Sequence, residues 1–144
     1  MRRQRLVVDT SVIIKWYRQN EVDAEVALAI RSAYLAGDVQ LVGPDLALTE
    51  FANVMRYMKD LSAEQVQQAV DSLFAMRLTW LAPTTSVLNR AVAIAREHET
   101  PVYDALFAAV AEDLSTLYVT ADGRFVKRVP DLGYVRPLAG FRLP

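Results

Sequence analysis

The stretch Arg5-Leu6-Val7-Val8-Asp9 decides how this chain is expected to fold, because a short β-branched run ends there at an acidic residue. Such a run is typical of a buried strand. Thr10 or Ser11 can cap a helix that follows it through Tyr17. Asp9 then falls at the carboxyl end of the strand, where the chain turns into the helix.

The same order of apolar strand and amphipathic helix recurs along the chain. The later predicted strands are Val39–Val42, Thr79–Ala82, Leu117–Thr120 and Tyr134–Arg136. Among the helices between them, one begins at Asp45 and one at the capping box Ser62-Ala63-Glu64-Gln65, and Thr85 or Ser86 is expected to cap the helix that ends at Glu99. Strands that alternate with helices pair in parallel in a sheet covered on both faces. The sequence therefore predicts an α/β fold.

Composition narrows the class of protein. With 144 residues, the chain fits one domain, residues 1–144, which would bury about 70% of the surface of the unfolded chain. Hydrophobic residues make up 53% and charged residues 23%, as in a compact globular protein. There is no Cys, which excludes disulfides, Cys-ligated zinc and thiol catalysis and suits a reducing cytoplasm. The apolar run at the start is broken at Asp9 and Lys15, so we expect no export signal and no membrane span.

Four carboxylates stand where an apolar stretch meets a polar turn or opens a helix. This acidic quartet consists of Asp9, Glu50, Asp104 and Asp122. Taken singly, each acid can be a helix cap or a partner of a helix dipole. Apolar neighbours surround Glu50 and Asp104, however, and an unpaired carboxylate in such company is costly. If the fold brings the quartet together at the carboxyl ends of the strands, its oxygens suit Mg²⁺ or Mn²⁺ and the cleavage of phosphodiesters.

Charge gives no positive evidence for nucleic-acid binding, since the net charge is −1. The 17 acids less the quartet leave 13 against 16 Lys and Arg, so the remaining surface is mildly basic. The basic residues that follow the strand-end aspartates, as phosphate contacts or as solvated side chains, are Lys15, Arg18, Arg124, Lys127 and Arg128. His98 is expected to be exposed or to complement a helix dipole. Trp16 and Trp80 are expected to pack in the core or at an interface.

Four motifs carry a family resemblance. In chain order they are Val7–Ile13, Leu48–Asn53, Tyr103–Ala108 and Val119–Phe125. Together they resemble the PIN-domain ribonucleases, in particular the VapC-type toxins of toxin–antitoxin pairs, from about residue 5 to residue 137. The resemblance implies a three-layer α/β/α sandwich around a parallel sheet of about five strands. It also implies that the acidic quartet binds Mg²⁺ or Mn²⁺, with a supporting hydroxyl at Thr120 and further candidates at Thr10 and Ser11.

The resemblance further implies endonucleolytic cleavage of RNA, inhibition by a cognate VapB-type antitoxin, and a homodimer. We also expect Asn53, one helical turn after Glu50, to orient a metal ligand. Two alternatives stay open. One is a PIN scaffold that serves mainly as a protein-binding module, and the other is a haloacid-dehalogenase-like phosphatase. Such phosphatases use a second aspartate two residues after the first, and here that position is Ser11.

Overall fold

The computed structural model describes residues 3–144, so Met1 and Arg2 lie outside the described residues. The strands are β1 (Gln4–Val8), β2 (Val39–Pro44), β3 (Thr79–Leu81), β4 (Leu117–Thr120) and β5 (Val135–Pro137). The helices are α1 (Thr10–Tyr17), α2 (Ala24–Leu35), α3 (Leu46–Arg56), α4 (Ala63–Ala75), α5 (Thr85–His98), α6 (Val102–Asp113) and α7 (Gly123–Arg128). The predicted strands are confirmed, with small differences at their ends. Within residues 3–144, no helix combines the length and the apolar character needed to cross a membrane.

The five strands form a single parallel sheet in the order β3-β2-β1-β4-β5. Strand β1 is central, and its Leu6 lies opposite Leu41 of β2 and Leu117 of β4. The chain first moves from β1 to one side of the sheet and later returns to the other side, so the strand order reverses beside β1. The loops after β1 and β4 therefore meet at this switch point, at the carboxyl edge of the sheet.

Helices cover both faces of the sheet, which confirms the three-layer α/β/α sandwich. On one face, Val7 and Tyr118 pack with α5, α6 and α7. On the other face, Leu6 and Val119 pack with the remaining helices, because side chains alternate between the two faces along a strand. Helix α6 is buried without interruption from residue 105 to residue 111, and it contacts β1, β2 and β4. Its small side chains let it lie close to the centre of the sheet.

Two predicted helix caps are wrong by one residue. The sequence places these caps at Thr10 or Ser11 and at Thr85 or Ser86. In the structure, Asp9 occupies the N-cap position of α1 and Thr84 that of α5, where Thr84 Oγ1 accepts a hydrogen bond from the backbone N–H of Val87. Asp9 makes no such bond, and its carboxylate instead accepts hydrogen bonds from hydroxyl groups. The capping box of Ser62 and Gln65 is confirmed.

Candidate metal centre

Asp9, directly after β1, is the most enclosed member of the acidic quartet, with 9% of its surface exposed. Three hydroxyl groups donate hydrogen bonds to its carboxylate. Ser11 donates to Oδ1 at 2.5 Å, and Tyr118 and Thr120 each donate to Oδ2 at 2.6 Å. Burial raises the pKa of Asp9, and these hydrogen bonds offset the rise only in part. The hydroxyls fix the orientation of the carboxylate, but they bring no positive charge to it.

Thr120, the last residue of β4, ties the two loops of the switch point together. Its Oγ1 donates to Asp9 and accepts a hydrogen bond from the backbone N–H of Asp122 at 3.0 Å. Ser11 Oγ lies 3.3 Å from the same Oγ1 and accepts from the backbone N–H of Ala121 at 2.9 Å. The predicted supporting hydroxyls at Thr120 and Ser11 thus form one network that positions two of the four acids.

Asp122 is held by the helix that it caps. Its Oδ1 accepts hydrogen bonds from the backbone N–H groups of Arg124 and Phe125, at 3.1 and 3.2 Å. Within the described part of the chain, Oδ2 has no hydrogen-bond partner. The capping role considered from the sequence therefore occupies Oδ1 and leaves Oδ2 available to a ligand.

Glu50 of α3 and Asp104 in the first turn of α6 lie over the same edge of the sheet. Glu50 is half-buried, and its Oε1 accepts a hydrogen bond from Thr10 Oγ1 at 3.3 Å. Burial raises the pKa of Glu50, and the charges of Asp9 and Asp104 raise it further. Burial also raises the pKa of Asp104, to which the charges of Asp122 and Asp9 add. The fold therefore brings the whole quartet within electrostatic range of one another.

No basic side chain forms an ion pair with the acidic quartet in residues 3–144. The ion pairs of this part of the chain are Lys15–Glu21, Arg18–Asp60, Arg90–Glu112 and His98–Asp131. Burial and neighbouring carboxylates raise the pKa of Glu50 and Asp104, so this arrangement favours a bound proton or a bound cation there. The donor set is made of oxygen atoms alone, which is the set that Mg²⁺ and Mn²⁺ prefer.

The quartet forms an open site. Among residues 3–144, one group of three His, Asp or Glu side chains has its ligand atoms within 4.8 Å of one another. This group is Glu97, His98 and Asp131. No three members of the quartet lie that close. Mg²⁺ usually keeps several waters and binds one or two carboxylates directly, so an open arrangement of oxygens is compatible with it.

Of the remaining predicted site residues, some contact the acidic quartet and others do not. Thr10 contacts the quartet, because its Oγ1 donates a hydrogen bond to Glu50. Asn53 is exposed one turn further along α3, and its side chain makes no hydrogen bond within residues 3–144, so its orienting role stays a prediction. Sequence reasoning missed Tyr118. Since Tyr118 and Thr120 stand two residues apart on one strand and therefore point the same way, their spacing was a usable signal.

The basic residues expected near the site fall into two groups. Lys15 pairs with an acid, as does Arg18, and Arg128 donates to a backbone carbonyl, so these three side chains are already engaged. Arg124 and Lys127 of α7 are exposed and form no ion pair in the described residues. These two are the cations free to meet a phosphate beside Asp122.

His98 and the tryptophans have structural surroundings. Of the two alternatives expected for His98, the structure favours the dipole-complementing one, since His98 lies in the last turn of α5 and only 8% of its side chain is exposed. Its Nε2 lies 2.7 Å from Asp131 Oδ1 and its Nδ1 3.0 Å from the carbonyl oxygen of Ile94. Trp16 is buried and donates to the carbonyl of Ala27 at 2.8 Å, and Trp80 is half-buried against the core, so the packing roles are confirmed.

Similar solved structures share this architecture. PAE2754 from Pyrobaculum aerophilum superposes with a TM-score of 0.68 at 15% identity, covering 96% of this chain and 94% of that chain. VapBC2 from Rickettsia felis, bound to a DNA fragment from their promoter, gives 0.67 at 16% identity, covering 93% and 98%. VapBC-1 from nontypeable Haemophilus influenzae gives 0.64 at 18% identity, covering 94% and 99%. No curated protein sequence matches the chain significantly. At these identities the likeness concerns the fold.

A family match covers most of the sequence. The chain matches the PIN domain family over residues 6–131, a range that contains the whole acidic quartet, strand β4 and the last three residues of β1. The match agrees with the four sequence motifs and with the five-stranded parallel sheet. By both sequence and fold, the chain belongs to the PIN domain family.

Proposed function

We propose that this protein is a divalent-metal-dependent endoribonuclease, a VapC-type toxin that a cognate VapB-type antitoxin neutralises. The observation that carries the proposal is the acidic quartet at the switch point, which no basic side chain neutralises within residues 3–144. Membership of the PIN family supports nuclease activity. The VapBC pairs among the similar structures support the toxin assignment.

The chain's own side chains prepare the site for a charged reaction. The acidic quartet would hold Mg²⁺ or Mn²⁺, which supplies Lewis-acid activation of water and stabilises the oxygen that leaves phosphorus. Ser11, Thr120 and Tyr118 hold the Asp9 carboxylate in one orientation before substrate arrives. Burial raises the pKa of the Tyr118 hydroxyl well above its usual value, so Tyr118 remains a proton donor to Asp9.

Charge compensation makes the reaction depend on a cation. Glu50 and Asp104 are only half-buried, so their carboxylates remain accessible to solvent. The uncompensated quartet would repel a phosphate, so substrate binding requires that its negative charge be neutralised first. Arg124 and Lys127 add positive charge beside Asp122 but do not pair with it. We therefore expect no cleavage in EDTA.

The proposed assembly is a homodimer in the cytoplasm, with an antitoxin bound to each toxin in the inhibited state. The helices that carry Trp16, Tyr17 and Tyr57 are candidates for the antitoxin-binding face. Of these three rings, Trp16 is buried and Tyr17 donates to Ser72, which leaves Tyr57 as the exposed one. Val22 is also largely exposed, so it can contribute apolar surface to such a partner.

The decisive experiment is incubation of purified protein with total RNA in Mg²⁺, in Mn²⁺ and in EDTA, followed by mapping of the cleaved ends. We expect cuts at defined positions with either metal and none in EDTA. The Asp9→Asn protein is the control for a contaminating nuclease. Intact RNA in both metals, together with tight antitoxin binding, would instead favour the protein-binding scaffold. The phosphatase alternative has lost its support, because the chain belongs to the PIN family and carries Ser11 at the position of the second aspartate.

A further inference from the structure

A second group of possible metal ligands lies at the end of α5, outside the acidic quartet. It consists of Glu97 and His98 of α5 and Asp131 in the turn between α7 and β5. One ligand atom from each of these side chains lies within 4.8 Å of the other two. Donors that bind one Zn²⁺ in tetrahedral geometry are about 3.3–3.6 Å apart. Small side-chain rotations therefore suffice to bring the three atoms to one ion.

His98 is already oriented as a metal ligand by a contact outside this group. Its side chain is only 8% exposed, and its Nδ1 lies 3.0 Å from the carbonyl oxygen of Ile94. Since a carbonyl oxygen only accepts hydrogen bonds, Nδ1 carries a proton, and Nε2 is the nitrogen left for a ligand. Nε2 lies 2.7 Å from Asp131 Oδ1. Histidines that bind a metal through one nitrogen usually donate the N–H of the other in this way.

The two carboxylates of the group can rotate onto an ion, while their backbone is fixed. Glu97 is exposed and forms no ion pair in the part of the chain that the structure describes. The side chain of Asp131 is 56% exposed. Its turn is anchored by Val129 and Leu132, which are buried in the same core cluster as the apolar face of α5. Only the ends of two side chains therefore have to move.

Charge favours a divalent ion over a proton at this place. With a proton on Nε2, one imidazolium faces two carboxylates, so one negative charge is left over. With a neutral imidazole and a divalent ion, the charges balance. Arg90 also acts on Glu97 and Asp131 through its charge, but Glu112 already binds its guanidinium at two nitrogens.

The donor atoms select a different metal from that of the acidic quartet. The quartet offers oxygen alone, which suits Mg²⁺ and Mn²⁺. Here an imidazole nitrogen joins two carboxylates, a set that Zn²⁺ accepts with water in its fourth position. The two sites also lie at opposite edges of the sheet, because the turn of Asp131 leads into a parallel strand, whereas Asp9 and Asp122 follow such strands.

We propose that Glu97, His98 and Asp131 bind one Zn²⁺, which joins the end of α5 to the turn before β5. The proposal does not depend on the ribonuclease function. Without metal, the pair between His98 and Asp131 holds the same two segments together. Zn²⁺ should raise the Tm, because the unfolded chain does not hold the three ligands at one place.

The first test uses NMR of the imidazole nitrogens in tag-free protein. His98 is the only histidine of the chain, so its two ring nitrogens give signals that need no further assignment. Mg²⁺ is added in excess to occupy the acidic quartet, and Zn²⁺ is then titrated. We expect the Nε2 signal to move to a metal-bound position while Nδ1 keeps its proton. Zn²⁺ that shifts neither nitrogen would overturn the proposal.

The second test compares Zn²⁺ binding among variants by isothermal titration, again in excess Mg²⁺. Glu97→Gln and His98→Gln should each weaken binding by about 10-fold or more and remove the rise in Tm, since even outer partners of a ligand contribute that much. Glu99→Gln is the matched control, because Glu99 is an exposed acid two residues from Glu97 but outside the group. It should bind Zn²⁺ like the wild type, as should Asp104→Asn.

The variants also define how the zinc site fails. Glu97→Gln keeps the test valid even if His98→Gln folds poorly, because Glu97 is exposed and forms no ion pair within residues 3–144. Wild-type affinity for Zn²⁺ in Glu97→Gln and His98→Gln would overturn the proposal. Binding only at millimolar Zn²⁺, or binding that Asp104→Asn removes and Glu97→Gln retains, would overturn it as well.

Discussion

Acids in two regions of this molecule have opposite surroundings. In the acidic quartet, burial raises the pKa of Asp104, and neighbouring carboxylates raise it further. Elsewhere, burial alone would raise the pKa of Glu112, but hydrogen bonds from Arg90 and Tyr134 lower it overall. The same chemical group is therefore stabilised as an anion in one region and destabilised as an anion in the other. Acids occur in both regions. The candidate site differs because no basic side chain in residues 3–144 pairs with its acids.

The difference also decides how each region responds to pH. A carboxyl group whose pKa is raised in the folded state binds protons more tightly there than in the unfolded state, so stability rises as the pH falls. This applies to Asp9, Glu50 and Asp104 in the absence of metal. Glu112, with its lowered pKa, acts in the opposite direction and loses its contribution as the pH falls. A metal bound at the quartet should restore charged carboxylates and release protons.

The largest effect is expected when one acid of the quartet is replaced. Asp9→Asn or Asp104→Asn should abolish RNA cleavage and leave the fold intact, because each change removes ligand charge but little volume. The metal-free Tm of Asp104→Asn should stay equal or rise, since repulsion is relieved. That of Asp9→Asn should fall, because an amide offers only one acceptor oxygen to the three hydroxyls that donate to Asp9. Circular dichroism melts and cleavage assays on the same preparations would measure both.

Glu112→Gln is the matched control for that prediction. It removes a paired acid, so it should lower the Tm while RNA cleavage continues at a rate close to wild type. Unchanged nuclease activity in both quartet variants would refute the assignment of the site.

A smaller loss is expected at Asn53, which stands one helical turn beyond Glu50 on α3. Asn53→Ala should reduce cleavage by about 10-fold to 100-fold, because we expect Asn53 to orient a ligand without binding metal directly. Asn89→Ala, an exposed asparagine on α5, is the control and should have no effect. A wild-type rate for Asn53→Ala would return this residue to the general surface.

Inhibition by the antitoxin should depend on the concentration of Mg²⁺. An antitoxin that inserts Arg can pair bidentately with Glu50 or Asp104 in place of metal. Inhibition would then weaken as Mg²⁺ is raised, since metal and guanidinium compete for the same oxygens. Titration of the toxin–antitoxin complex with Mg²⁺ at fixed ionic strength, while RNA cleavage is followed, measures this directly. A flat response would show that the antitoxin blocks the site only sterically.

The smallest expected effect concerns the ion pair between His98 and Asp131. Burial alone would lower the pKa of His98, but its bonds to Asp131 and to the carbonyl of Ile94 raise it above 6.5 overall, and the bond from His98 lowers the pKa of Asp131 below 3.8. The stabilisation by His98 is complete below pH 6.5 and is lost as the pH rises through its raised pKa. The contribution of Asp131 is present above pH 3.8 and is lost at lower pH.

The Tm difference between wild type and His98→Gln should therefore be a few degrees at most. It should be largest near pH 5 and shrink above neutrality, whereas RNA cleavage should not change. Thermal melts from pH 4 to pH 9 would measure the difference. A difference that grows with pH would contradict the charged pair.

Local patterns in the sequence were sufficient to predict the strands and helices and to single out the four acids as candidates. β-branched runs predicted the strands, and Ser62 with Gln65 predicted the start of α4, because both signals act over a few residues. Contacts between distant residues were not predictable in the same way. Tyr118 reaches Asp9 across 109 positions of sequence, and Arg18 finds Asp60 across 42, so neither partner is visible in a local window. For the same reason, the pairing of His98 with Asp131 escaped prediction.

The central position of β1 has a consequence for the order in which the molecule is made. Asp9 is synthesised before its partners, since the Tyr118 and Thr120 hydroxyls that hold its carboxylate come 109 and 111 residues later. Pairing between β1 and β4 is non-local and must wait until both strands have left the ribosome. During translation the nascent chain therefore carries three of the four carboxylates before it carries the strand that assembles them. A protein proposed to cut RNA would thus gain its cutting centre only after β4 has been made.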